Sequence, residues 1–278
     1  MANDKPFLPW SETPEPTSLK IDTSVPHPAR VYDYWLGGKD NFEADRKVAE
    51  ATHAASPGVV QGAKDNRAFL GRAVRFLAEQ GIRQFLDIGT GIPTQGNTHE
   101  VAQGVTPESK IVYVDNDPIV MVHARALLRG TPEGKTTYVE ADLRDPESIL
   151  THPDVLTTLD FDEPIAIVIV GTLMFIKDDE DPFSIVKQYT DAVTAGSYLA
   201  ISHVTADFEP EAVGASAKAY NTGPTFFTPR TGAEIARFFD GFELVEPGMV
   251  AVFDWHPDDD PFRDTRLAGA YGAVGRKL

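Results

Sequence analysis

An α/β fold is predicted, built as a doubly wound parallel sheet with helices on both faces. Three observations predict it. From about residue 84 onward, short apolar runs alternate with amphipathic segments joined by short loops. The run Ile165–Val170 is apolar at every position, as a central parallel strand buried on both faces must be. Three runs in series end in an acid: Phe85-Leu86-Asp87, Ile111-Val112-Tyr113-Val114-Asp115 and Tyr138-Val139-Glu140-Ala141-Asp142. Right-handed crossovers then bring the ends of the first four strands to one rim, where sheets of this kind bind ligands.

The elements follow in order. Pro6, Pro9, Pro14, Pro16 and Pro26 stand among polar residues, which predicts a flexible arm over 1–26. The stretch from Tyr32 to Phe42 is dense in aromatics, and Gly37-Gly38 breaks any helix there. A helix is expected from about Phe42 to Ala55. A second, capped by Asp65 or Asn66, carries the stripe Phe69, Leu70, Ala73, Val74 and Leu77 and stops at Gly81. Strands are expected at 84–88, 111–115, 137–141, 165–170 and 198–203, with a helix from about Asn97 and another at 118–128 that opens on Pro118. Residues 205–229 read as irregular. Thr231-Gly232-Ala233-Glu234 has the form of a capping box and starts a helix ending near Phe239. Strands at 242–245 and 270–275 complete the sheet.

Composition narrows the function. With 278 residues, 42% of them hydrophobic, the chain suits one large core, alone or with an appendage. It has no cysteine, which removes disulfides, thiolate metal sites and cysteine nucleophiles. A net charge of -17 repels phosphate backbones, so nucleic acid is not an expected partner. The first residues show no basic start and no apolar core, so a cytoplasmic location is expected. The longest nearly apolar run, Ile165–Ile176, is too short to cross a bilayer, so no membrane partner is expected. His99 and Glu100 do not suggest a metal, because a metalloprotease helix needs histidine where Gln103 stands.

The loop after the first strand, Gly89-Thr90-Gly91-Ile92-Pro93-Thr94, identifies the ligand class. A dinucleotide fingerprint needs a third glycine at position 94, and Pro93 donates no amide. The loop is poor at holding a pyrophosphate, yet Gly89, Thr90, Gly91 and Pro93 let a ribose or an amino-acid tail approach the backbone. Asp115 offers two oxygens to ribose hydroxyls. Asn116 or Asp117 flanks the adenine, with Asp117 alternatively a helix cap before Pro118. Asp142 accepts the adenine amino group and the Leu143 amide donates to the ring, with Asp142 alternatively a turn residue. Asp87, near the end of the first strand, and Gly171, just past the fourth, are further cofactor-binding candidates, and Arg67 pairs with a ligand carboxylate. This set favours S-adenosylmethionine over a nicotinamide dinucleotide.

Several segments are similar to those of a bacterial family of S-adenosyl methyltransferases. They are Tyr34-Trp35-Leu36-Gly37-Gly38-Lys39-Asp40-Asn41-Phe42, Asp87 to Thr94, Asn97 to Gln103, Tyr113 to Pro118, Ala141 to Pro146 and Arg237-Phe238-Phe239-Asp240-Gly241. The resemblance spans roughly residues 27–276. It implies the class I fold, a Rossmann-like seven-stranded sheet whose last strand is antiparallel. It also implies S-adenosylmethionine as donor and S-adenosylhomocysteine as product. The expected organisation is a helical lid over 27–82 and the methyltransferase domain over 83–278, with 205–230 inserted near the active site. Relatives often carry a histidine after strand four, between a leucine and an aromatic, but here the run is Leu173-Met174-Phe175.

Methyl transfer is an in-line displacement, so alignment matters most and a base is needed only where the acceptor must lose a proton. Candidate bases are His203, Tyr220 and His256. Candidate lid or substrate residues are Tyr32, Tyr34, Trp35, Gly38, Lys39 and Asn41. The acceptor is expected to be a small molecule. Two other readings stand beside this one: a non-catalytic binder of the donor or its product, and a nicotinamide-dependent oxidoreductase.

Overall fold

The computed structural model describes residues 22–127, 130–221, 225–257 and 269–278. Most of the expected arm, residues 1–21, lies outside them. Three helices come first: α1 (Pro28–Trp35), α2 (Glu43–Ala55) and α3 (Val59–Glu79). Then follow β1 (Gln84–Ile88), α4 (Thr98–Val105), β2 (Lys110–Asp115), α5 (Pro118–Leu127), β3 (Lys135–Glu140), α6 (Pro146–Leu150), α7 (Pro153–Leu156) and β4 (Ala166–Val170). The chain ends with α8 (Pro182–Asp191), β5 (Tyr198–Val204), α9 (Pro210–Tyr220), α10 (Gly232–Ala236), β6 (Phe242–Leu244), β7 (Val250–Ala251) and β8 (Ala270–Lys277).

The sheet runs β3-β2-β1-β4-β5-β8-β6. Strands β1 to β5 are parallel, and β8 is antiparallel to both β5 and β6. The two-residue β7 pairs with β8 off this path and is an eighth strand the sequence does not announce. From β1 the chain winds outward to β3, then restarts at β4 on the other side, so the β1/β4 boundary is the switch point at which a crevice opens.

Strand parity sorts the core into two layers. Leu86, Val112, Val114, Ile167, Leu199 and Ile201 face α8 and α10. Phe85, Ile111, Ala166, Val168 and Ala200 face α3, whose Phe69, Val74 and Leu77 cover them. Period-two alternation therefore decides, residue by residue, which side chains share a face with α3.

Three expectations change. Helix α3 begins at Val59, after the Pro57-Gly58 break, so Asp65 and Asn66 lie inside it and cap nothing. Gln61 spends its amide on Asp65, while Asn66 reaches across to Tyr32 and Ser202. Residues 205–229 contain an eleven-residue helix, α9, with Pro210 in its first turn. Its buried face is only Val213, Ser216 and Tyr220, too thin an apolar stripe to define it, so packing on α2 rather than propensity does. The aromatic segment before Gly37 forms a short helix, α1.

The turn after α1 is held by Asp33. Its carboxylate accepts the Asp40 amide at 3.0 Å and Asn41 Nδ2 at 2.8 Å. Gly38 is required there, because an added Cβ would sit 1.9 Å from Asp33 Oδ1.

Candidate functional site

A cavity of about 540 Å³ opens at the switch point. Its floor is the rim of the sheet, and α1, α3 and α9 stand over it. One wall carries the strand-end acids Asp87, Asp115 and Asp142, together with Gly89, Thr90 and Gly91. Asn116, Leu143, Gly171 and Arg67 also line it, as do Tyr32 and Trp35 of α1 and Tyr220 of α9. These are the sequence-predicted residues that the fold brings together.

Asp115 organises the first loop. Its Oδ2 accepts the Gly91 amide at 2.8 Å and its Oδ1 accepts the Asp117 amide at 2.9 Å. Each oxygen keeps a second lone pair for a ligand hydroxyl. Burial pushes its pKa up, against those two amide bonds. Gly89 turns with φ +76, and a Cβ there would meet the Thr172 side chain at 2.3 Å, so only glycine lets β1 end beside β4. Asp142 is more exposed and is clamped from outside. Arg144 reaches both of its oxygens, at 3.2 and 3.1 Å, and Asn116 Nδ2 donates to Oδ2 at 3.2 Å. The same arginine donates to Glu180 at 2.8 Å and to the Phe175 carbonyl at 3.1 Å, tying the β3 and β4 ends together.

Asp87 is buried and accepts Thr98 Oγ1 at 2.6 Å. Burial raises its pKa to about 6, only partly offset by the Thr98 bond and by Arg67. Because the folded value lies above the ordinary aspartate value of 3.8, the native state holds more protons between these values, and stability falls as pH rises through that window. A shift of this size corresponds to about 3 kcal/mol. In the ligand-free protein, Asp87→Asn is expected to flatten the stability profile between pH 4 and 6, read by urea unfolding. A variant that keeps the wild-type slope would assign that titration elsewhere.

Other predicted residues fall outside the cavity lining. His203 alternates onto the opposite face of β5 from Ser202 and Val204, which do line it. Its Nδ1 lies 2.7 Å from the Val204 carbonyl and its Nε2 lies 2.9 Å from Arg230 Nη1, which assigns a neutral ring accepting from arginine. Burial holds its pKa down at about 3. His256 lies against Trp255 and Phe76 with Nε2 2.7 Å from the Glu246 carbonyl, on the α3 side of the sheet. Asp117 caps α5 through the Ile119 amide at 3.0 Å and pairs with Arg30 at 3.0 Å instead of flanking a base. Gly38 and Asn41 belong to the Asp33 turn, Lys39 is exposed beside it, and Tyr34 Oη donates to Glu50. Pro93 follows Ile92, which turns away to pack on α5.

The sequence reading missed Ser202, Arg144 and the residues of α9 other than Tyr220, and it gave Asn66 only as a helix cap. Asn66 Oδ1 accepts Ser202 Oγ, and its Nδ2 donates to Tyr32 Oη at 3.1 Å, which in turn donates to the Ala63 carbonyl at 2.7 Å. No motif marks Asn66, and only its helical position opposite the β5 end reveals it.

The donor set suits a nucleoside carrying an amino-acid tail. Three carboxylates line one wall, and the two arginines of the lining donate to Gln95, Asn97, Asp142 and Glu180. A pyrophosphate would face Asp87, Asp115 and Asp142 on that wall. No helix among the described residues is long and apolar enough to cross a membrane.

Comparison with known proteins agrees. A DUF574 family protein from Streptomyces avermitilis is 48% identical, with a TM-score of 0.90, covering 93% of this chain and 100% of its own. A candidate methyltransferase from Thermobifida fusca is 45% identical, with a TM-score of 0.85, covering 96% of this chain and 99% of its own. The magnesium protoporphyrin IX methyltransferase of Synechocystis PCC 6803, solved with bound S-adenosylhomocysteine, is 14% identical with a TM-score of 0.52 over 79% of this chain and 87% of its own, and shares the fold. No curated protein matches the chain in sequence. The S-adenosyl methyltransferase profile matches residues 14–278, nearly the whole chain, so this protein belongs to the S-adenosyl methyltransferase family and is an S-adenosylmethionine-dependent methyltransferase.

Proposed function

We propose that the carboxylate wall holds the donor and that the rest of the cavity holds a small-molecule acceptor, in a bacterial cytoplasmic enzyme. The observation that carries this is the placement of Asp87, Asp115 and Asp142 on one wall of a cavity whose lining is otherwise largely apolar. Asp115 takes the ribose hydroxyls, and Asp142 with the Leu143 amide takes the adenine edge. Asp87 meets the ammonium of the tail, and Arg67, on the same wall, meets its carboxylate by exchanging its 3.3 Å bond to the Gln95 carbonyl while keeping Asn97. The segments 27–82 and 205–230 act together as the lid, and packing of α2 on α9 supports that reading.

When bound, the donor supplies a sulfonium methyl group, whose carbon accepts the acceptor's lone pair while the carbon–sulfur electron pair stays on sulfur. The chain's own task is alignment and exclusion of water. Holding two reactants in register can contribute about 7–11 kcal/mol. Tyr32 and Tyr220 stay neutral, since burial raises both phenols, and His203 points away from the cavity. The lining residues therefore bind and orient, and proton removal is not their first role.

Calorimetric titration with S-adenosylmethionine, S-adenosylhomocysteine and NAD tests the donor assignment, with the two adenosyl compounds expected to bind and NAD not. Tighter binding of NAD would overturn it. Methyl-labelled donor incubated with cell extract then tests turnover. Reproducible absence of labelled product would favour a binder that reads donor levels without transferring the group.

A further inference from the structure

The side of the cavity away from the carboxylates is an aromatic chamber. Phe175, in the 3₁₀ turn after β4, Tyr220 at the end of α9 and Phe227 just beyond form a triangle of rings. Their centroids are 5.6 Å (Phe175–Tyr220), 6.0 Å (Phe175–Phe227) and 5.6 Å (Tyr220–Phe227) apart. Trp35 and Tyr32 of α1 close the chamber from above.

The polar tips of these rings are already committed or sealed. Trp35 Nε1 donates to the Ala49 carbonyl at 3.2 Å. Tyr32 Oη both donates to Ala63 and accepts from Asn66. Tyr220 Oη is out of contact with solvent and has no hydrogen-bond partner. What the chamber presents is ring face and edge, with Met174 and Val213 filling between. The ring set itself, Tyr32, Trp35, Phe175, Tyr220 and Phe227, carries no cationic side chain. Of the lining cations, Arg67 and Arg144 are engaged as described, and Lys177 Nζ lies 3.5 Å over the ring of Phe226.

From this we propose that the methyl acceptor is an uncharged, planar aromatic small molecule, seated against Trp35, Phe175 and Phe227. The proposal rests on the donor occupying the carboxylate wall, which leaves this chamber facing the transferred methyl group. Aromatic groups gain from offset and edge-on contacts beyond their buried area, so ring clusters favour flat π ligands over saturated ones of equal size. Against these rings an anion would have to shed water with no free donor to replace it.

The test uses the whole chain and three probes of matched size: 2-naphthol, decahydro-2-naphthol and 2-naphthoate. Each is titrated by calorimetry, with and without saturating S-adenosylhomocysteine. The expected result is that 2-naphthol binds at least tenfold more tightly than either other probe. Phe175→Leu and Phe227→Leu are each expected to cut that preference at least threefold while leaving S-adenosylhomocysteine affinity unchanged. Equal affinity for the saturated probe, preference for the carboxylate, or no binding of 2-naphthol would each overturn the proposal. Binding of S-adenosylhomocysteine without aromatic preference removes the acceptor class and keeps the donor site. Aromatic preference without binding of S-adenosylhomocysteine does the reverse.

Discussion

Replacing Arg30 by methionine is expected to destabilise the fold by about 3–5 kcal/mol, the usual cost of breaking a buried ion pair from one side. Arg30 is 5% exposed. Its Nε lies 3.0 Å from Asp117 Oδ2 and its Nη1 lies 3.7 Å from Asp45 Oδ2. Both acids are buried and both have other work: Asp45 accepts the amides of His27 and Phe42, and Asp117 caps α5. Methionine keeps the stem's packing but leaves two carboxylates sharing only His27, whose Nδ1 is 3.1 Å from Asp117. Urea unfolding reads the effect directly, and a loss below about 1 kcal/mol would place the pair among weakly contributing ones. The Asp117 amide donates to Asp115, so this pair also joins α1 to the acid that ends β2. A smaller loss of S-adenosylhomocysteine affinity is therefore expected alongside the loss of stability. A cycle with Asp117→Asn separates the pair's coupling from the cost of each change alone.

The second large effect is on binding. Asp115→Ala is expected to weaken S-adenosylhomocysteine binding by at least tenfold, since one charge-assisted hydrogen bond contributes about 1.5–3 kcal/mol and each 1.4 kcal/mol is about a factor of ten. Asp115 is 6% exposed, so its bonds are little screened. It also holds the Gly91 and Asp117 amides in place, so its loss loosens the loop that the ligand must approach. Asp142→Ala is expected to cost clearly less. Its side chain is 40% exposed and Arg144 already neutralises it. Calorimetry on the two variants gives the ranking. If the order is reversed, the ribose lies at the β3 end and the adenine at β2.

Much of this site was legible as sequence because strand ends advertise themselves. Asp87, Asp115 and Asp142 each close an apolar run, and parallel winding leaves them nowhere but one rim. Gly89 and Gly91 mark the turn for the same reason. The failures have a different origin. His203 was read as a rim residue because it sits near a strand end, but one step along a strand reverses the face. Ser202 and Val204 meet the cavity and His203 meets Phe238 and Arg230. The lid or substrate candidates are Tyr32, Tyr34, Trp35, Gly38, Lys39 and Asn41. Asp33, Gly38 and Asn41 instead lock a turn, and only Tyr32 and Trp35 of the lid candidates reach the ligand space.

Helix α9 was hidden for a physical reason of its own. Its helical stripe is only Val213, Ser216 and Tyr220, too sparse to register as a period. Contact with α2, more than a hundred residues away in the chain, stabilises it. The chain's local pattern determined the sheet, its rim and the acids that end its strands, because alternation and turn chemistry act over a few residues. Only the tertiary structure decided what closes over that rim, since the aromatic wall is assembled from α1, the turn after β4 and α9, which no local period connects.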